Sequence, residues 1–318
     1  MPLLSVNAQG PDPVACRGAG PAALSDRLAA ALGQMPRAAP LVVMIHGYRY
    51  DPGRARADPH RHILSPDPLA GRNGAMSWPH HLGLSGATAP GLGIGLGWNA
   101  GGSIWHAYEQ AALAGVALAR LIGMIAAIDP GRRVDILAHS LGARVAFAAI
   151  CEAAPGALGR VILMAGAEFG PRAARAAAAP AGRSAEFINI TTRENDLFDA
   201  LLERLIQPRT QPDRSLGHGL PAPAPNWLDI QIDQTKTLQG LATLGFVIAP
   251  PRRRICHWSA YQRPGLFALY RALLTRPGAI PLPLLRAHLP QTHDPRWSRL
   301  FALPRIALPL PLAHNPSS

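Results

Sequence analysis

Lysine is almost absent from this chain. Lys236 is the only one, so the 31 basic residues, set against 19 acidic, are otherwise arginine and give a net charge of +12. Those arginines are spread through the whole sequence together with many Ala, Gly and Pro, a bias of composition rather than a patch. The densest cluster, Arg252, Arg253 and Arg254, has no interleaved aromatic residues to stack on bases, so a solvated loop is expected there and no nucleic-acid partner. Cysteine is scarce as well. Cys16, Cys151 and Cys256 are an odd number without metal-ligand spacing, and Cys151 falls in a run expected to be a buried helix, which excludes a disulfide framework. The first twenty residues lack a basic start followed by a continuous apolar stretch, so no secretory signal is read and a cytoplasmic protein is expected. The longest apolar run, Ala111 to Ile128, is Ala- and Gly-rich, contains Arg120 and stops at Asp129-Pro130-Gly131. It reads as a helix packed on a sheet, and no transmembrane segment is expected.

What is present is an apolar fraction of 48% with 16% charged residues, the balance of a globular chain able to bury a sizeable core. From Leu41 onward strands and helices alternate, the pattern of a mainly parallel sheet flanked by helices on both faces. The expected strands are Leu41 to Ile45, Gly91 to Trp98, Arg133 to Ala138, Val161 to Ala165, Phe187 to Thr191 and Trp227 to Ile232. Helices are expected at Ser77 to Leu84, at Ser103 to Ile128 with a serine cap, at Leu141 to Ala154, at Leu197 to Ile206 and from about Pro264 to Leu274. This divides the chain into an N-terminal segment, 1–40, an α/β domain, 41–275, and a Pro-rich C-terminal extension, 276–318, that cannot hold long regular elements.

One unit concentrates the chemistry. Ala138-His139-Ser140-Leu141-Gly142 stands between an apolar strand and an apolar helix and has the form small-x-Ser-x-Gly. A serine on so tight a turn needs small residues two positions away on either side, because larger side chains would collide across the bend. The turn would expose the Ser140 hydroxyl and leave the Leu141 N–H at a helix N-terminus, free to donate to an oxyanion. The bland alternative is a serine that merely caps the helix.

At these residues the chain resembles the α/β-hydrolase superfamily, by element order over roughly Leu41 to Leu274, although the elbow more often begins with glycine than with an alanine such as Ala138. The resemblance implies an α/β-hydrolase fold and a serine hydrolase acting on a small-molecule ester or acyl substrate, with a thioester or amide as alternatives, without a cofactor. It further implies that His46-Gly47-Tyr48, closing the first strand, supplies the second oxyanion N–H from Tyr48, with His46 structural. In the superfamily's order of serine, acid and histidine, Asp196 takes the acid position after the strand Phe187 to Thr191, with Asp199 and Glu194 as near rivals and Asp213, Asp229 and Asp233 as distant ones. The alternative reading of Asp196 is an N-cap for the helix Leu197 to Ile206. His257, in a loop before a helix, takes the place of the base ahead of His218, His288, His293 and His314. His60, His62, His80 and His81 lie in loop sequence without carboxylate or cysteine partners, so no metal site is read. Two other classes stay open: a catalytically silent hydrolase-like binding protein, and a basic binder of membrane surfaces or nucleic acid. The oligomeric state cannot be read.

Overall fold

A computed structural model describes residues 3–16, 20–68, 76–206 and 213–301. The chain opens with a hairpin of β1 (Leu3–Gln9) and β2 (Asp12–Ala15), turned at Gly10, and continues through α1 (Gly20–Gly33) to β3 (Leu41–Ile45). A long irregular stretch carries α2 (Trp78–Leu82), capped by Ser77, before β4 (Leu92–Gly97) and α3 (Ile104–Ile128), capped by Ser103. Then follow β5 (Val134–His139), α4 (Gly142–Glu152), β6 (Leu158–Met164), α5 (Gly170–Ala178), β7 (Glu186–Thr191), α6 (Asp196–Ile206) and β8 (Trp227–Gln231). The last helices are α7 (Thr235–Thr243), α8 (Ser259–Gln262), α9 (Leu266–Thr275) and α10 (Leu282–His288).

All eight strands join one sheet in the order β2-β1-β4-β3-β5-β6-β7-β8, parallel except for the β1–β2 hairpin. This is the α/β architecture expected, with a longer sheet. The boundary expected at residue 41 does not divide it, because β1 pairs with β4 and carries β2 as an antiparallel edge. The inner strands are apolar without a break because both faces are covered. Leu41, Val43 and Ile45 face a core shared with α1, α3, α4 and α5, while Val42 and Met44 face a second core shared with α2 and α9. Helix α3 is long and apolar enough to cross a membrane, but Ala107, Ala111, Leu118, Leu121 and Ile122 are buried in the first core. Cys151, expected in a buried helix, lies on the exposed side of α4 near its end.

Of the expected C-terminal extension, residues 302–318 lie outside the described residues, as does 69–75 within the long irregular stretch. Residues 276–301 do form structure: α10 and the segment after it run along the β8 edge. Arg286 donates to the carbonyl of Trp227 at 2.9 Å, and Gln231 and Asp294 exchange two hydrogen bonds. That covers the sheet edge which β8 would otherwise present to solvent.

Candidate active site

The site is assembled from the C-terminal ends of β3, β5 and β7 and the loop before α8. Ser140 follows β5 directly and has φ of +54°, a conformation that costs a non-glycine residue about 1–3 kcal/mol and persists only where neighbours impose it. They do so by hydrogen bonds on both sides: Ser140 N–H donates to Met164 O at 3.1 Å, and the Ser140 carbonyl accepts from Ala167 N–H at 2.8 Å and Ala143 N–H at 3.0 Å. Two glycines are required by space, Gly142 against β3 rather than across the bend, and Gly47 against the serine. A Cβ at Gly142 would stand 2.7 Å from the Ile45 carbonyl oxygen, and one at Gly47 would stand 2.6 Å from Ser140 Cβ.

Ser140 Oγ lies 2.9 Å from His257 Nε2, so the residue expected to be the nucleophile and the one expected to be the base meet. His257 Nδ1 lies 2.6 Å from Asn195 Oδ1. An amide oxygen only accepts, so Nδ1 carries the proton and Nε2 presents its lone pair to the serine hydroxyl. The ring stacks on Phe198 at 4.7 Å, and burial lowers its pKa to about 4, which keeps it neutral at neutral pH.

The expected acid is not the partner of the base. Asp196 turns the other way: it accepts from Trp297 N–H at 2.5 Å and pairs with Arg296 at 2.6 Å, both in the segment after α10. The physical reason is the 3-10 turn Arg193–Asn195 between β7 and α6, which sends successive side chains in different directions. Arg193 pairs with Asp233 at 2.7 Å, and Glu194 forms a buried ion pair with Arg263. Glu194 also accepts from the loop that carries His257, through Cys256 N–H at 2.8 Å and Arg253 N–H at 3.2 Å. Asn195 alone points at the imidazole. Residue type does not reveal it, because the superfamily's pattern has an acid in this place; its position as last residue of the turn after β7 is the only signal.

No family model matches this chain, and no curated protein does either.

The loop after β3 is held rigidly beside the serine. His46 donates from Nδ1 to Gly47 O at 2.9 Å and accepts from Trp98 N–H at its Nε2 at 3.0 Å, while its ring stacks on that of Trp98. Fully buried, it has its pKa lowered to about 3 and plays the structural part expected of it. Arg49 N–H donates to Ala100 O at 2.9 Å, and the Tyr48 hydroxyl to Gly102 O at 2.7 Å. Gly47 thus brings this loop within van der Waals contact of Ser140, and Tyr48 follows it, while Leu141 lies at the start of α4.

His139, between β5 and Ser140, is buried and packs against the rings of His257 and Tyr261. Its Nε2 donates to the His257 carbonyl at 3.3 Å, tying the base loop to the strand that bears the nucleophile. Among the described residues no cluster of three His, Cys, Asp or Glu side chains is arranged to hold a metal ion; His60 pairs with Asn7 and His62 with the Arg56 carbonyl. Of the other candidate bases, His218 pairs with Glu203 and His288 contacts Leu284 O, while His314 is outside the described residues.

Proposed function

We propose that this protein is a serine hydrolase of α/β-hydrolase type that cleaves a carboxylic ester, thioester or amide through Ser140, His257 and Asn195. The single observation that carries the reading is the hydrogen-bonded line from Ser140 Oγ through the His257 ring to Asn195 Oδ1, built on a serine held at positive φ. The strand order and the strand-turn-helix setting of Ser140 are compatible with that fold.

In this mechanism His257 Nε2 takes the hydroxyl proton as Ser140 Oγ attacks the substrate carbonyl. The N–H groups of Tyr48 and Leu141 donate to the resulting oxyanion. His257 then hands its proton to the leaving alcohol, thiol or amine as the acyl–serine bond remains. Water enters, gives a proton to His257 and attacks the acyl carbon; return of that proton to Oγ releases the carboxylic acid and restores the serine. An apolar acyl group suits the surroundings, since Trp258 and Leu197 lie exposed on the two segments that carry His257 and Phe198. A second reading, a hydrolase-like binding protein without turnover, is favoured by the amide of Asn195, which brings no charge to offset an imidazolium.

Labelling by a fluorophosphonate probe together with turnover of p-nitrophenyl esters separates the two. The hydrolase reading expects both in the native protein and neither in Ser140→Ala. A native protein that neither labels nor turns over any ester in a chain-length series overturns it.

A further inference from the structure

Asn195 is neutral and could in isolation present either end of its amide to His257. If the NH2 end faced Nδ1, the imidazole would carry its proton on Nε2 and could not accept from Ser140. What sets the amide is found one helical turn further along α6. Asp199 is buried, and its carboxylate accepts a hydrogen bond from the Asn195 side chain. Its Oδ2 pairs with Arg296 at 3.0 Å. Room for this is made by Gly217, where a Cβ would fall 2.2 Å from both Asp199 Oδ2 and Arg296 Nη1.

We propose that Asp199 is a positioning residue: as an acceptor-only carboxylate it draws the NH2 end of Asn195 to itself, turns the amide oxygen toward His257, and so fixes the imidazole as the Nδ1–H tautomer able to take the Ser140 proton. The consequence for turnover rests on the hydrolase reading; the consequence for the tautomer does not. The groups facing Asp199 are Arg296 from the segment after α10, Asn195, Asp196 and Glu203 from its own turn and helix, and His218 behind Glu203. Burial raises the Asp199 carboxyl to about 7, with Arg296 opposing the rise. A protonated Asp199 can donate as well as accept, so the hold on the amide relaxes as pH falls through that value.

The test is nitrogen-15 NMR of the His257 ring in the native protein, in Asp199→Asn and in Asn195→Asp/Asp199→Asn, with ester kinetics alongside. The native ring is expected as Nδ1–H at pH 8, with a growing Nε2–H population as pH is lowered toward 5, where burial still keeps the ring neutral. Asp199→Asn should show mixed tautomers at every pH and lose kcat by about tenfold or more. The double variant places a carboxylate, which accepts at either oxygen, beside His257 Nδ1 and should recover both the tautomer and most of kcat, which a purely structural role for Asp199 would not allow. A tautomer unchanged in Asp199→Asn, or a double variant as impaired as the single one, overturns the proposal. If Asp199→Asn does not fold, a native ring that keeps one tautomer from pH 8 to pH 5 overturns it. Absence of fluorophosphonate labelling in the native protein would instead count against the hydrolase reading and leave the NMR outcome decisive for Asp199.

Discussion

Gly47→Ala probes the contact on which the site depends. The added methyl carbon would lie 2.6 Å from Ser140 Cβ and 3.0 Å from the His139 carbonyl oxygen, whereas carbon atoms in contact sit about 3.5–4.0 Å apart. Something must move by about 1 Å, and neither neighbour is the end of a flexible chain: one is the β-carbon of a residue held at φ +54°, the other is backbone of the central strand. Overpacking of this kind costs about 1–3 kcal/mol, and in a chain of this size each kcal/mol lowers Tm by about 1.5 °C. Under the proposed mechanism, displacement of Ser140 by about 1 Å should cost on the order of a hundredfold in kcat. Differential scanning calorimetry and ester kinetics measure the two effects. Gly123→Ala, on an exposed stretch of α3 where a Cβ would meet nothing within 4 Å, is the control and should raise stability by up to about 1 kcal/mol. The reasoning is refuted if Gly47→Ala melts within a degree of the parent and keeps its kcat.

Ser140→Gly should abolish labelling yet raise stability by about 1 kcal/mol in denaturant unfolding, because glycine accepts the positive φ without strain. Phe198→Ala removes the face on which the His257 ring stacks, and a fall in kcat with KM little changed is expected from steady-state kinetics. His46 ionises at about 3 in the folded protein against about 6.5 unfolded, so below pH 6.5 the unfolded chain binds the extra proton and folding stability falls as pH drops toward 3. That is about 1.4 kcal/mol per pH unit for this residue, and His46→Gln should flatten the pH dependence of urea unfolding by that amount. Asp135 and Asp199, raised to about 6 and 7 by burial, act in the opposite sense, so the difference between parent and variant is the informative quantity.

The central strands were legible because strands buried on both faces are apolar throughout, as Leu41–Ile45 is, and because the Ser77 and Ser103 caps mark helix starts. The strand-turn-helix setting of Ser140 and the placement of His257 before a helix are legible for the same kind of reason: each has a particular local setting. The β1–β2 hairpin was not read, since β2 is four residues with Pro13 inside it and β1 owes its place to pairing with β4, far along the chain. Helix α7, with three threonines and a glycine among its nine residues, gives too weak an apolar signal to be read from the sequence. Asn195 was missed because four polar residues in a row carry no mark of direction. Only the 3-10 turn decides that Asp196 faces Arg296 while its neighbour faces the imidazole.

The strap along the β8 edge has a consequence for truncation. Every strand among the described residues, Ser140, His257 and Asn195 all precede residue 294, yet the guanidinium that anchors the first turn of α6 belongs to Arg296. A chain ending at residue 290 would therefore contain Ser140, His257 and Asn195 and yet lack the clamp that holds the turn from which Asn195 projects.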